Sequence, residues 1–466
     1  MLEGLEASVI SFSELEESFR IDAEYYRPSL IQIENVLRER GSVELRSRGN
    51  FISGPFGSEF LVENYAQAAG YRYVRGKDVK PLFLTDTDNV YIPKADYKRM
   101  AEYALQKDDI LISVVGTLGN ASIVTQETLP AIFSSKSTAL RLSKMNPWFL
   151  IAYLNCSYGQ RLLLRKTRGT VQMGLNLPDL RSLLIPNVSD HFQQAVADAL
   201  TAATRQIENS KVLYANAEQT LLAELGLLNW QPPEPLAYTR KASEVFHLGR
   251  MDSEYFSPRV QSLLQTLSAQ KQTVGSVANL RKQRFVSANH EAFDYIEISD
   301  VLSKGEVSST TTNAKEAPDR ATWYVRSGDV ITSTVRPIRR LSAIIQPEQD
   351  GFVGSSGFAV LQPVQVPAEL LLVYLRLPII CSLMDLYTTA SLYPAISVPD
   401  ILGMPFAKPS NKAIEQIVQC VKQSHTARRE AKHLLAQAKR AVEVAIEQDE
   451  TAGLAVLEQA PSQPPP

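Results

Sequence analysis

The chain has 466 residues, too many for one ordinary hydrophobic core and enough for two to four domains. Apolar residues make up 44% and charged residues 21%, the balance of a soluble globular protein, which excludes wholesale disorder. Lysine and arginine total 48 against 50 aspartates and glutamates, so a formal charge of −2 announces no nucleic-acid or membrane partner, and local patches must carry any such case.

Residues 1–22 carry acids where a signal peptide needs a basic start and an apolar core. The greasiest window, 370–384, contains Arg376 and Pro378 and is too short to span a bilayer. The reading is a cytoplasmic protein with no membrane partner. Cys156, Cys381 and Cys420 lie far apart and never in CxxC spacing, which argues against disulfides and a cysteine zinc site.

The first distinctive stretch is Arg20-Ile21-Asp22-Ala23-Glu24-Tyr25-Tyr26-Arg27-Pro28, followed by a short amphipathic piece at 28–38. Runs of β type follow at 70–75, 109–115 and 121–125, bounded by turn residues. A helix-like segment at 148–165 leads to a loop that closes on Pro178-Asp179. A long polar helix is then expected over about 189–225. Val196, Leu200, Ala203, Ile207, Ser210, Tyr214, Ala217 and Leu221 alternate by four and three, Ser189 or Asp190 can cap its start, and Gly226 suits its end. The segment 230–236 is a semi-rigid proline linker.

The pattern then starts again. Arg250-Met251-Asp252-Ser253-Glu254-Tyr255-Phe256-Ser257-Pro258 repeats the first stretch at an offset of 230. Asp329-Val-Ile-Thr-Ser333 repeats Asp109-Ile-Leu-Ile-Ser113, Ser355-Ser356 repeats Ser134-Ser135, Val373-Tyr-Leu375 repeats Ala152-Tyr-Leu154, and Val398-Pro-Asp-Ile401 repeats Leu177-Pro-Asp-Leu180. Five matches in one order imply a tandem duplication. A second long helix is expected at 411–448, capped by Asn411, with Ile414, Val418, Val421, His425, Arg428, Ala431, Leu435, Ala438 and Val442 on its seam.

The expected fold is α+β. Two tandem, mostly-β domains are separated by two long α-helices packed on one another as a coiled coil. The alternative is that each helix covers its own domain's sheet. The expected boundaries are 1–188 for the first domain, 189–226 for the first helix, 227–242 for the linker, 243–409 for the second domain, 410–448 for the second helix, and 449–466 for a disordered tail. Helices of about 35 residues would be ~50 Å long, longer than a small domain is wide.

Motifs for enzymatic chemistry are missing. There is no GxxxxGK[ST], no GxGxxG after a strand, no HExxH, no GxSxG and no Asp/Asn-Pro-Pro-aromatic loop. His425 and His433 lie eight apart on one helix and read as solvated or seam residues. Asp109 and Asp329 precede strands and read as turn residues. No catalytic residue, metal ligand or cofactor is assigned.

Basic residues cluster locally. Copy one has Arg72, Arg75, Lys77 and Lys80, then Arg161, Arg165, Lys166 and Arg168 beside Thr170 and Gln172. Copy two has Arg281, Lys282 and Arg284, then Arg336, Arg339 and Arg340. Each cluster can be a solvated face. As a nucleic-acid surface, it would use Lys and Arg on phosphates and polar or Arg side chains on base edges. The DNA-binding candidates are Arg75, Lys77, Arg165, Lys166, Arg168, Gln172, Arg281, Lys282, Arg336, Arg339 and Arg340.

Taken in order and in duplicate, these motifs resemble the specificity subunit of type I restriction–modification systems. The resemblance covers about residues 20–445. It rests on the repeat, the Arg20–Pro28 opening, Gly54-Pro-Phe-Gly-Ser58, the Asp109–Asn120 element and the 177–186 exit. It implies two target recognition domains reading a bipartite DNA sequence, a spacer of the two long helices packed as an antiparallel coiled coil, and no catalysis by this chain. The implied partners are double-stranded DNA and two DNA adenine methyltransferase (modification) subunits, with restriction or translocase subunits as further members of such a complex. The runner-up is a two-domain protein-interaction scaffold that dimerises through its helices without DNA. Copy two departs by lacking Gly-Pro-Phe-Gly-Ser and by carrying Val335-Arg-Pro-Ile-Arg-Arg340 where copy one has Val115-Gly-Thr-Leu-Gly-Asn120, so the two copies are expected to read different sequences.

Overall fold

Strand Ile110–Ser113 and its counterpart Val330–Ser333 are buried along their whole length. Successive side chains of a strand point to opposite faces. Ile110 and Ile112 therefore join a core with Phe149, Leu150 and Tyr153, while Leu111 joins another with Val74 and Phe133. In copy two Val330 packs with Leu371 and Tyr374, and Ile331 with Ile296 and Phe358. Each copy thus has a helical layer on one face of a sheet and more β-structure on the other.

The computed structural model describes residues 8–15, 20–55, 65–66, 70–169, 173–302, 305–389 and 392–459. It divides into two compact units, residues 1–207 with 428–466, and residues 208–427.

In the first unit the larger sheet has the order Gly49–Ser53, Ser137–Leu142, Ile110–Ser113, Ala121–Ile123, Leu82–Phe83, antiparallel except for the last pair. A second sheet places Tyr71–Val74 antiparallel to Val90–Ile92 and parallel to Ala131–Phe133. The exit strand Leu184–Pro186 returns to pair with Ser42–Glu44.

The second unit repeats the plan. Its sheet Ala278–Leu280, Phe358–Pro363, Val330–Ser333, Ser342–Ile344 is antiparallel throughout. Ala292–Ile296 lies antiparallel to Thr310–Asn313 and parallel to Val353–Ser355, and Pro405–Phe406 returns to Gln272–Thr273. The same parallel crossing in both copies is structural evidence for the duplication.

The helix-like segments are each two helices. In copy two Ala368–Arg376 ends before Pro378, which opens the helix Pro378–Asp385, and Leu377 is extended as the residue before a proline tends to be. Copy one breaks at Cys156, between Pro147–Asn155 and Ser157–Arg165, without a proline. Here the chain folds back so closely that a Cβ on Gly159 would stand 2.0 Å from the Tyr153 carbonyl oxygen. The duplicated tyrosines do the same work: Tyr153 Oη donates to the Leu184 carbonyl at 2.7 Å, and Tyr374 Oη to the Pro405 carbonyl at 2.6 Å. Each ties a buried helix to its exit strand.

The long helices run over Asp190–Glu224 and Asn411–Glu447, and both unit boundaries fall within them. In the first unit Phe192, Val196 and Leu200 pack with Ala438, Ala441 and Val442, Ser189 N donates to Glu450, and Gln206 Nε2 donates to Glu430 at 2.9 Å. In the second, Ala217 and Leu221 pack with Ile417 and Val421, Ser410 N donates to Glu224, and Ser210 and Ser424 bond at 3.0 Å. In each unit, rising numbers on one helix meet falling numbers on the other, so the pairing is antiparallel, as the family resemblance implies. Ser189 accepts from Phe192 N, and Gly226 adopts φ +68, as the end of that helix requires.

Three expectations are corrected. Ser410, not Asn411, caps the second helix, accepting from Ala413 N at 3.3 Å. Its seam runs through the fully buried Ile417 and Ser424 rather than Val418 and His425, and Ser424 bonds to the buried Ser210 at 3.0 Å. The stretch read as a disordered tail carries the helix Glu450–Leu457, capped by Asp449 and seated with Gly453 against Ala441 and Phe192. Residues 460–466 lie outside the described residues.

Candidate nucleic-acid interface

In each copy the central strand leaves the sheet through a turn, and that turn is bonded to a short hairpin. In copy one Arg168 and Gly174 exchange backbone hydrogen bonds at 2.9 and 2.8 Å, and Leu175 N donates to Val114 O at 3.0 Å. In copy two Thr389 and Ala395 exchange bonds at 2.9 and 3.1 Å, Ile396 N donates to Thr334 O at 2.9 Å, and Arg336 N donates to Pro394 O at 2.8 Å. A turn at 115–120 or 335–340 and a hairpin at 168–174 or 389–395 therefore form one edge in each unit.

The backbone of that edge is shared and its side chains are not. Gly116 and Gly119 have φ +88 and +78, and their places in copy two are taken by Arg336 and Arg340 at φ +50 and +60. A non-glycine residue in the left-handed region costs roughly 1–2 kcal/mol, so copy two maintains two arginines there against the preference of the backbone. Val330–Ser333 follows Ile110–Ser113 by 220 positions but Ser342–Ile344 follows Ala121–Ile123 by 221, so the one-residue insertion of copy two falls in this turn.

The sequence-derived candidates separate by environment. Arg340 lies against Glu218 and donates Nε to the Arg376 carbonyl at 2.7 Å, while Arg376 Nη1 returns a bond to the Arg340 carbonyl at 2.7 Å. Arg281 holds the buried Asp329 with both ends of its guanidinium. In copy one the equivalent Asp109 is held by Arg141 from within the strand Ser137–Leu142, whereas Arg281 follows the strand Ala278–Leu280. These aspartates are therefore buried ion-pair partners as well as turn residues. Arg168 grips the buried Asp179 at 2.8 and 2.9 Å and ties the hairpin to the helix Leu177–Arg181. Arg165 is 8% exposed, donates Nε to the Tyr25 carbonyl and pairs with Glu34. Lys166 Nζ reaches Ser182 Oγ at 3.1 Å, and Arg75 forks onto Asp78 at 2.9 and 3.0 Å. These six basic groups each have a partner within the fold, so each has a structural role beside the DNA contact expected of it from the sequence.

Lys77 remains at the surface, bridged to the exposed Asp88 at 2.9 Å, a pair weak enough to exchange for a phosphate. Lys282 and Arg339 are exposed, and among the described residues neither pairs with a carboxylate. Arg336 lies over the Tyr393 ring at 5.5 Å and donates to the Leu392 carbonyl at 3.2 Å. Gln172 lies outside the described residues, as do Thr170 and part of the Gly54–Ser58 segment.

Sequence reasoning missed Leu392 and Tyr393, which are 80% and 70% exposed on the copy-two hairpin. The 221-residue offset could have found them, because it places them opposite Val171 and Gln172. It also missed that Arg284, at the surface, lies over Trp323 at 5.6 Å.

Alongside the copy-one hairpin an open groove of about 680 Å³ is lined by Arg20, Arg27, Arg161, Arg165 and Arg168 against only Asp22 and Glu24. Burial pushes the Cys156 and Cys381 thiols up to about 12. Among the described residues no group of three or more His, Cys, Asp or Glu could hold a metal ion, and no helix is long and apolar enough to cross a membrane.

Residues 57–219 match the family model for the type I restriction modification DNA specificity domain. No curated protein matches the chain. Three solved structures align along most of its length. The type I restriction–modification S subunit from M. genitalium is 15% identical, covers 90% of this chain and 96% of its own, and has a TM-score of 0.40. The HsdS subunit from Thermoanaerobacter tengcongensis is 14% identical over 89% and 97%, with a TM-score of 0.29. A chain from work on complex assembly and conformational transition of the type I R-M system is 16% identical over 88% and 97%, with a TM-score of 0.28. These superpositions are loose, and the family match covers residues 57–219 alone.

Proposed function

We propose that the chain is a specificity subunit of a type I restriction–modification system, a non-catalytic component that recognises DNA, as the match of residues 57–219 to that family's DNA specificity domain supports. The domains at 1–188 and 243–409 each read one half of a bipartite target. In each domain the reading edge is the turn and hairpin described above. Lys77, Lys282 and Arg339 hold phosphates or base edges, joined by Arg336 with Tyr393. Phosphate contacts by such groups supply affinity and its salt dependence, whereas side chains entering the groove supply sequence discrimination. Two DNA adenine methyltransferase subunits supply the chemistry, and restriction subunits join the same complex.

The observation that carries this reading is the duplicated edge: one backbone scaffold, bonded in the same way, bearing Gly-Thr-Leu-Gly in one copy and Arg-Pro-Ile-Arg-Arg in the other. A protein that reads two different half-sites needs a shared frame with divergent tips. The test is to exchange residues 335–340 and 389–395 for the copy-one sequences and map methylation by the assembled complex. One half-site should change and the other persist. A target that is unchanged, or altered in both halves, would show that the edge does not read DNA.

A further inference from the structure

The turn 335–340 of copy two is clamped onto a long helix. Pro337–Arg339 forms one turn of 3-10 helix, bracketed by Arg336 and Arg340 in the left-handed region. Arg340 reaches Glu218, which stands on the helix Asp190–Glu224, and its Nε donates to the Arg376 carbonyl at 2.7 Å. Arg376 Nη1 donates back to the Arg340 carbonyl at 2.7 Å and to the Ser342 carbonyl at 3.0 Å. Arg376 is 2% exposed, and its guanidinium lies 5.3 Å from the centre of the Tyr214 ring, one helical turn before Glu218. Burial raises the Glu218 carboxyl and the charges of Arg340 and Arg376 pull it back, so one carboxylate faces both cations.

The duplication supplies an internal control. The two long helices align with Val196 on Ile417 and Leu221 on Val442, which puts Lys439 at the place of Glu218 and Leu435 at that of Tyr214. In copy one Gly119 stands at the place of Arg340 and Asn155 at that of Arg376. Asn155 Nδ2 still donates to the Ala121 carbonyl at 3.1 Å, the counterpart of the Arg376 bond to Ser342. The Gly119 carbonyl accepts from Gln160 Nε2 at 3.0 Å, on a helix of its own domain. All four members of the clamp are thus exchanged together, while the bond from buried helix to strand is kept. A clamp serving the fold that the copies share would be shared as well, and this one accompanies the turn that is not. Glycine enters the left-handed region freely, whereas arginine must be held there.

We propose that Glu218 is a positioning residue for the second half-site. It acts through Arg340, fixing the backbone that presents Arg336 and Arg339, and makes no contact with DNA itself. This role rests on the reading edge assigned above. A turn held in one conformation binds its matching bases without an ordering cost, and it cannot follow a mismatched base by adjusting. Reading of the second half-site is therefore tied to the long helix. Copy one reads from a glycine turn that its own domain supports.

The test uses the assembled complex and compares methylation rates on duplexes carrying the full target, one substitution in the first half-site, or one in the second. Glu218→Gln keeps the shape of the side chain and removes its charge. Discrimination at the second half-site should fall about tenfold, the scale of one lost base contact, with discrimination at the first half-site unchanged. The slope of log K against log salt should also stay the same, because no phosphate contact is lost. Glu218→Asp keeps the charge but draws it back by one methylene. It should give a smaller loss at the same half-site, and it decides the matter if the Gln variant does not fold. Lys439→Gln, at the equivalent place, should alter neither half-site. Unchanged discrimination at the second half-site in the assembled variants overturns the proposal, as does an equal loss at both half-sites, which marks a merely structural role. If exchanging residues 335–340 and 389–395 leaves the target unchanged, the reading edge itself fails. A target that shifts on that exchange but ignores Glu218→Gln refutes the clamp alone.

Discussion

Arg339 and Arg340 are neighbours in sequence with opposite surroundings, and separate substitutions distinguish a reading residue from an anchor. The Arg340 side chain is 31% exposed, against a Glu218 carboxylate that is 19% exposed. Burial raises the Glu218 carboxyl above its ordinary range even with Arg340 beside it, so the site is poorly solvated. Removing one partner of a buried pair costs about 3–5 kcal/mol, and this exposure places Arg340→Ala near ~2–3 kcal/mol. It also frees the carbonyl of Arg376 that Nε satisfies. Arg339→Ala, on an exposed side chain, should change stability by no more than ~0.5 kcal/mol. If Arg339 holds a phosphate, its loss should reduce the slope of log K against log salt by about 0.9. If it reads a base, specificity at one position of the second half-site should relax. Denaturant unfolding measures the first quantity, and fluorescence anisotropy of the complex on target DNA over a salt series measures the second. An Arg340→Ala chain of wild-type stability, or an Arg339→Ala complex with unchanged slope and specificity, would refute the assignment of roles.

Tyr374→Phe removes the hydroxyl that satisfies the Pro405 carbonyl at 2.6 Å and should cost ~1–2 kcal/mol in unfolding experiments; Tyr153→Phe should match it through Leu184. Gly159→Ala forces a Cβ to within 2.0 Å of a carbonyl oxygen and should lower the melting temperature or the yield of folded chain, whereas Gly403→Ala, with open space around it, should do neither. The hydrogen bond from Arg250 holds the Asp252 carboxyl below its usual value of 3.8. Its folded value is depressed, so the stabilisation is present above about pH 4 and fades as pH falls through the lower folded value. Asp252→Asn should therefore reduce stability at pH 7 and flatten its decline between pH 4 and pH 2 in acid titrations followed by circular dichroism.

The duplication and the long helices were legible because they rest on pattern. Equivalent motifs recur in order, and the four–three spacing around Val196, Leu200 and Ala203 can bury only one stripe. The second helix was read one position off at Ser424 because hydrophobicity marks large side chains, and its seam there is set by a small hydroxyl facing Ser210. Charge was the least legible property. Arg165, Arg168, Arg281 and Arg340 look like surface cations in sequence, yet their partners Glu34, Asp179, Asp329 and Glu218 lie 11 to 131 positions away and become neighbours only on folding. The reading hairpin was half legible: its glycines signal a turn in copy one, but Leu392 and Tyr393 carry no turn signal and emerge only from the repeat.

The central claim is that this chain gives methylation its sequence. The most direct measurement is single-molecule sequencing of adenine methylation in cells that express the modification subunit with and without this chain. A bipartite motif, two fixed half-sites separated by a constant unread gap, should be methylated only when the chain is present. The same methylated positions in its absence would contradict the account.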